Sequence, residues 1–310
     1  MATNTTVTTT YAGELDAQKY ISAALLSGNT LSQGLVTVKT NIKYQAVVKN
    51  LVTGTLLADA TCDFTDTSSV TLTERVLTPK QIQVNLALCK ADFRDDWEAI
   101  SMGYSAHDHL PPSFEAYLAS YVAEKVAAEN EVSIWRGATG TGGQFNGFGT
   151  LIALDAALPA AQEIAGTTVT ASNVVAQMQL ITAQIPAALY GNPDLYIYAS
   201  QNIYRAYVQA LGALGYIDKF NNQVLGELVI DGVKIVMANG LAANTAIATL
   251  KSNLWFGTGL FNDTNMVKVI DTAETLGDEN VRVIMRMTAG CQYGNITDIV
   301  TYGIVNAANN

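Results

Sequence analysis

Between Val36 and Leu88 the chain alternates apolar and polar residues in two runs, with a polar stretch between them. Val36, Val38, Ile42, Tyr44, Ala46 and Val48 fall on one side, and Lys39, Asn41, Lys43, Gln45 and Lys49 on the other. Val70 and Leu72, then Ile82, Val84, Leu86 and Leu88, repeat the pattern against Gln81, Gln83 and Asn85. A period of two marks half-buried strands. Joined through the polar residues 61–69, the two runs predict a long antiparallel ribbon with an irregular tip. An isolated ribbon is only marginally stable in water, so its apolar face must lie on another surface.

Composition points to other protein as that surface. Of 310 residues, 14% are charged and 49% are apolar, where soluble domains carry about 25% charge. That excludes a disordered polyelectrolyte and leaves an exterior short of ionic groups. The net charge of −10 argues against a phosphate-neutralising surface, since nucleic-acid binders cluster Lys and Arg. Cys62, Cys89 and Cys291 are odd in number and far apart, which fits neither a disulfide framework nor a zinc motif and suggests a reducing compartment. The early apolar run Ile21–Leu26 follows Glu14 and Asp16 rather than a basic segment, so no signal peptide is expected. Nowhere does an uncharged apolar run reach the ~18 residues of a bilayer span.

The first ten residues contain six threonines and no charge, too little to order alone, so docking is expected to hold them. Residues 14–27 read as a short helix ending at Gly28, and residues 92–101 as another. Pro111-Pro112-Ser113 then opens the clearest helix, with Ser113 as N-cap, Glu115 in the first turn and Arg136-Gly137 at the end. Its length is on the order of 36 Å. After the glycine-rich residues 137–149, a candidate boundary, the pattern is mixed. Helices are predicted over 172–189 and 201–214 and a strand over Leu195–Ala199, followed by a hairpin turning at Asp231-Gly232. Further strands are expected over 253–257, 266–270, 281–287 and 299–305.

Candidate chemistry is sparse. His107-Asp108-His109 is the one place where metal-ligand types cluster, yet there are no other histidines to complete a zinc site. The loop 137–149 has neither GxxxxGK[ST] nor GxGxxG order, and it follows a helix instead of preceding one. No GxSxG elbow occurs. Asp92, Asp95, Asp96 and Glu98, beside Arg94, read as a solvated or intersubunit face, and the cysteines as small buried hydrophobes. No catalytic residue, cofactor site or metal site is predicted.

The order of parts is the informative feature: polar arm, ribbon, short helix, long helix, mixed α/β segment and closing strands. It resembles the major capsid proteins of tailed bacteriophages, the Hong Kong 97-type fold, over nearly the whole chain. The tail is closest, with Asn253-Leu254-Trp255-Phe256-Gly257-Thr258, Val267-Lys268-Val269-Ile270-Asp271, Asn280 to Arg286, and Ala289-Gly290-Cys291-Gln292-Tyr293-Gly294. The resemblance implies an α+β fold. Its parts are an N-terminal arm (1–34), an extended E-loop ribbon (35–90), a P-domain with a spine helix (91–165), an A-domain (166–261) and closing P-domain strands (262–310).

It also implies a structural protein that self-assembles into hexamers and pentamers around double-stranded DNA, which is held without sequence-specific binding. The portal protein, and separate scaffold or decoration proteins, would be further partners. Location would be the virion, assembled in the host cytoplasm, with no membrane partner. Ribbon lysines offer a covalent crosslink known in some family members, but no motif identifies a partner and none is expected.

Two other readings stay open: an encapsulin-type nanocompartment shell of the same fold, and a cytosolic α/β enzyme using 137–149 as a lid. A secreted Thr-rich adhesin does not fit the missing signal.

The shell reading carries an electrostatic expectation. Lys39, Lys43 and Lys49 on the ribbon would meet Asp95, Asp96 and Glu98 of a neighbouring subunit. Reversing the three lysines to glutamate is then expected to block assembly and leave a folded subunit; normal shells from that variant would remove the idea.

Overall fold

The first alternating run is not one strand. In a computed structural model, which describes residues 29–57, 59–60, 62, 66, 68–89, 112–215, 228–259, 268–272 and 277–307, it divides between two sheets. A single turn, α1 (Asn29–Ser32), leads to β1 (Thr37–Lys39). The chain then bends at Asn41, whose φ of 61° is left-handed, and the Ile42 amide donates to the Thr258 carbonyl. It resumes as β2 (Ala46–Thr53), which pairs antiparallel with β3 (Val70–Leu77) from Ala46 opposite Leu77 to Thr53 opposite Val70. Tyr44, expected on the buried side, lies in the bend and is exposed.

The second run also changes sheets. After Thr78 and Pro79, β4 (Lys80–Cys89) pairs over ten residues with β12 (Asn280–Tyr293) and not with the first run. Proline has no N–H to continue a ladder, so the break falls where the sequence permits it. The free ribbon therefore covers 46–77, shorter than the expected 35–90. Within β4 the period-two reading holds: Gln81, Gln83 and Asn85 are exposed and Ile82, Val84 and Leu86 half-buried.

The long helix is α2 (Pro112–Arg136), with Pro112 at its start, where a missing N–H costs nothing, and Ser113 in its first turn rather than at its cap. It lies on a five-stranded sheet. β1 runs parallel to β10 (Leu254–Thr258), which pairs with β12; β11 (Lys268–Asp271) joins the same edge of β12, and β4 takes the other. Val122 and Val126 of the helix pack on Val281, Val283, Met285 and Met287.

The mixed segment builds a second sheet. Its order is β5 (Glu163–Ile164), β13 (Val300–Tyr302), β9 (Ala246–Leu250), β6 (Leu195–Ala199), β8 (Val233–Met237) and β7 (Leu228–Ile230). The β7–β8 turn is Asp231-Gly232 as read from sequence, with φ of 47° and 81°. Helices α4 (Val174–Gln184) and α5 (Gln201–Ala213) bury Met178, Ile181, Ile203 and Tyr207 against Ile197 and Ile235. No helix among the described residues is long and apolar enough to cross a membrane.

A third core joins the two sheets at the end of α2. Trp135, fully buried, stacks at 5.5 Å on Phe148 and 5.1 Å on Tyr198, while Phe145 meets Phe256 at 6.3 Å. Phe148 opens α3 (Phe148–Leu154), a helix the sequence reading did not place, so the glycine loop lies between two helices rather than only after one. The loop is part of this core and not a spacer. A Cβ at Gly137 would fall 2.4 Å from the Phe145 carbonyl oxygen, so only glycine lets the loop fold back on the helix end.

The segment before β1 is tied in by one buried carboxylate. Thr30 donates to Glu131 through its amide (3.1 Å) and its hydroxyl (2.5 Å), and the Trp135 Nε1–H donates to that hydroxyl oxygen (2.8 Å). Burial pushes the Glu131 carboxyl above its ordinary 4.5; hydrogen bonds from Thr30, Trp135 and Gly240 offset that only in part. A raised folded value means that the contribution is full below the unfolded value and is lost as pH rises through the folded one. Relative to Glu131→Gln, the wild-type chain is therefore expected to be most stable below the ordinary 4.5 and to lose ground as pH is raised from there. Thermal midpoints measured along that rise check this, and a difference independent of pH would contradict it.

Candidate assembly interface

Cross-strand pairing sorts the ribbon into two faces. Directly opposed residues share a face, so Ala46 with Leu77, Val48 with Arg75 and Asn50 with Thr73 form one, and Val47 with Val76, Lys49 with Glu74 and Leu51 with Leu72 form the other. At the base the first face is closed: Ala46, Leu77 and Ile42 pack together with Trp255, and Leu77 is fully buried. Burial of such a side chain stabilises by about 1.5–3 kcal/mol.

One rung further out, packing gives way to a polar clamp. Arg75 reaches Asp155, just past α3, at 2.5 Å, donates to the Tyr293 hydroxyl of β12 at 3.2 Å, and lies 4.4 Å from the centre of that ring. Tyr293 donates in turn to Asp155 at 2.5 Å. Burial alone would raise the Asp155 carboxyl, but the bonds from Tyr293, the Ala157 amide and Arg75 outweigh it and hold it below its ordinary value. Burial and the bond to Asp155 push the Tyr293 phenol up, so it stays a neutral donor. Gln292 adds a bond to the Val76 carbonyl at 3.0 Å. Beyond these contacts the ribbon projects from the body.

Its second face is apolar and wet. Leu51, Leu72 and Val70 are about 60% exposed and Val47 and Val76 about 40%; beyond the paired strands Leu57 is 90% exposed. Lys49 opposite Glu74 is the one charged rung among these pairs. Exposed apolar side chains on both sides of that rung make this face a candidate interaction surface.

The predicted contact residues do not form a single patch. Lys39 belongs to β1 in the body, half-buried with its ammonium 5.9 Å from the Trp255 ring centre; Lys43 is exposed in the bend; Lys49 is exposed on the ribbon. The ribbon-face reading thus fails for Lys39, because the bend at Asn41 removes it from the ribbon. Asp95, Asp96 and Glu98, the helix predicted over 92–101, the His107-Asp108-His109 cluster and the helix at 14–27 lie outside the described residues. Among the described residues no group of three His, Cys, Asp or Glu comes together. Cys291 is buried and Cys89 half-buried, but Cys62 is exposed, contrary to the reading of all three as buried.

The glycine loop is fastened rather than free to act as a lid. Gly147 donates to the Gly137 carbonyl (2.9 Å), the Ala138 and Thr139 amides donate to Gln144 and Asn146 side chains, and the Lys80 ammonium donates to the Gln144 carbonyl at 2.7 Å. The clamp at Arg75 was not anticipated; an isolated Arg, Asp and Tyr spread over more than 200 residues carry no local signal.

No protein-family model matches the sequence, and no curated protein is similar to it. Solved structures are similar along nearly the full length. A subunit of the Cyanophage A-1(L) capsid matches with a TM-score of 0.59 at 14% identity, over 90% of this chain and 93% of that one. The capsid of the native GTA particle matches at 0.55 and 13%, over 98% and 96%. The satellite phage P4 procapsid matches at 0.52 and 10%, over 94% and 100%. The chain has the Hong Kong 97-type fold seen in phage major capsid proteins.

The clamp gives a pH expectation. A depressed folded value means its stabilisation is present above the ordinary aspartate value of 3.8 and is lost only as pH falls through the folded value. Asp155→Asn and Arg75→Ala are each expected to cost about 1–3 kcal/mol at neutral pH. That cost should shrink as pH falls well below the ordinary 3.8. Denaturant titrations at neutral and acid pH read both, and an equal cost at all pH values would exclude the carboxylate as the source.

Proposed function

With the Hong Kong 97-type fold as premise, we propose that the chain is a major capsid protein, a structural subunit that self-assembles into hexamers and pentamers of an icosahedral phage head enclosing double-stranded DNA. The observation that carries this reading is the ribbon's outer face, a row of apolar pairs that its own subunit leaves in water. A second copy supplies the missing surface. Closed symmetry then repeats the contact, so every subunit both lends a ribbon and receives one.

The chemistry of the rest supports a structural role. The loop that would serve a lid is pinned by Lys80, and the buried ionisable groups Glu131 and Asp155 work as internal fastenings. Lys43 and Lys49, both exposed, would meet carboxylates such as Asp95, Asp96 and Glu98 on a neighbour; Lys39 contributes to its own body instead. An acidic coat also suits a container whose DNA is to be driven in without sticking to the wall. The portal protein, and separate scaffold or decoration proteins, would complete the head.

Electron microscopy of the purified chain tests the proposal. Closed icosahedral shells or flat capsomers are expected, and particles carrying genome-length DNA would separate the head from a compartment that holds a cargo enzyme. Leu51→Asp with Leu72→Asp is expected to abolish assembly while keeping the circular dichroism and thermal midpoint of the subunit, because both side chains are exposed. Dispersed small particles in every condition for the wild-type chain, or shells from the double variant equal to wild type, would overturn it.

A further inference from the structure

The inward stripe of α2 contains one polar residue among valines and isoleucine. Val122, Val126, Asn130 and Ile134 follow at steps of four, so they share one side of the helix, and all are buried. Val122 and Val126 pack on β12, and Ile134 belongs to the core around Trp135. Asn130 falls between these two cores. It is only 9% exposed, and its Oδ1 has no hydrogen-bond partner. A buried acceptor left in that state destabilises the fold, where a leucine of similar size would not. Packing alone therefore gives no reason for an asparagine here.

A hollow of about 480 Å³ opens at this position, between α2 and β4. Val84, Val126 and Met287 supply apolar walls, and Asn130 and Glu129 border the same space. Glu129 is exposed, and among the described residues no cation pairs with it. Lys125, one turn earlier, lies over the Tyr121 ring at 5.7 Å, and Lys80 directs its ammonium to the Thr139 and Gln144 carbonyls. Ligand sites commonly combine apolar walls with a few placed polar groups. Here those groups are an acceptor inside and a negative charge at the rim, which together select a positively charged donor with an aliphatic tail.

We propose that this hollow binds a linear primary alkylammonium ion. Its N–H donates to Asn130 Oδ1, Glu129 supplies the countercharge, and the methylene chain lies along Val84, Val126 and Met287. An alcohol of the same length makes the first contact without the second, and a bare ammonium ion leaves the walls uncovered. The site is complete within one subunit, so it does not depend on the shell reading.

Titration of the full chain with n-hexylamine hydrochloride, followed by calorimetry and ligand-observed NMR, tests the site. Saturable binding of one equivalent is expected. n-Hexanol and ammonium chloride should each bind about tenfold or more weakly, since one lacks the charge-assisted bond and the other the buried chain. Asn130→Leu should cut the affinity for hexylamine by about tenfold or more and leave the thermal midpoint at or above that of the wild type. Glu129→Gln, an exposed change, should weaken binding by roughly threefold or more and flatten its dependence on salt. Should Asn130→Leu fail to fold, Glu129→Gln and the hexanol comparison still decide. No saturable binding to the wild-type chain, hexanol binding as tightly as hexylamine, or undiminished binding to either variant would overturn the proposal.

Discussion

A two-stranded sheet has two faces, and this subunit covers only the root of one of them. Leu77, Ala46 and Ile42 close that root, and Arg75 holds the next rung through Asp155 and Tyr293. Further out, Leu51, Leu72 and Val70 are left exposed by the subunit itself. The body, by contrast, is self-sufficient: α2 lies on the five-stranded sheet, α4 and α5 on the six-stranded one, and the aromatic group around Trp135 joins both. The molecule therefore combines a packed core with an extension whose apolar face it does not cover itself.

Legibility in the sequence follows how far each signal reaches. The Asp231-Gly232 hairpin and the Leu195–Ala199 strand were placed by a few adjacent residues and occur as expected. The long helix was legible from its spacing. The ribbon was legible in kind but not in extent, because period two does not say which sheet a strand joins; the bend at Asn41 and the stop at Pro79 decide that. β9 escaped notice because Ala246, Ile247, Ala248 and Thr249 are buried on both faces and do not alternate. α3 was hidden by the glycines before it. Its place is set by the Trp135 ring more than 10 residues upstream.

Charge gives the same lesson from the other side. Counting lysines near the ribbon made it look basic, but the bend assigns Lys39 to the body and leaves an outer half that carries only carboxylates. The low overall charge is not spread evenly. It is scarce on the ribbon's apolar face, and on β4 and β12 two exposed arginines stand among amides. Sparse charges of this kind identify positions more sharply than many would, since each has few alternatives to pair with.

The rooting of the ribbon bears on how the subunit would carry load. One ribbon strand follows β1, which lies beside β10, and the other runs through Thr78 and Pro79 straight into β4 on the far edge of β12. A pull on the tip thus enters the sheet along strand axes at two separated edges. The ten paired residues of β4 and β12 are then loaded together in shear, instead of being peeled apart one bond at a time. In the shell proposed above, tension on the ribbon would be borne along the stiffest direction of the sheet.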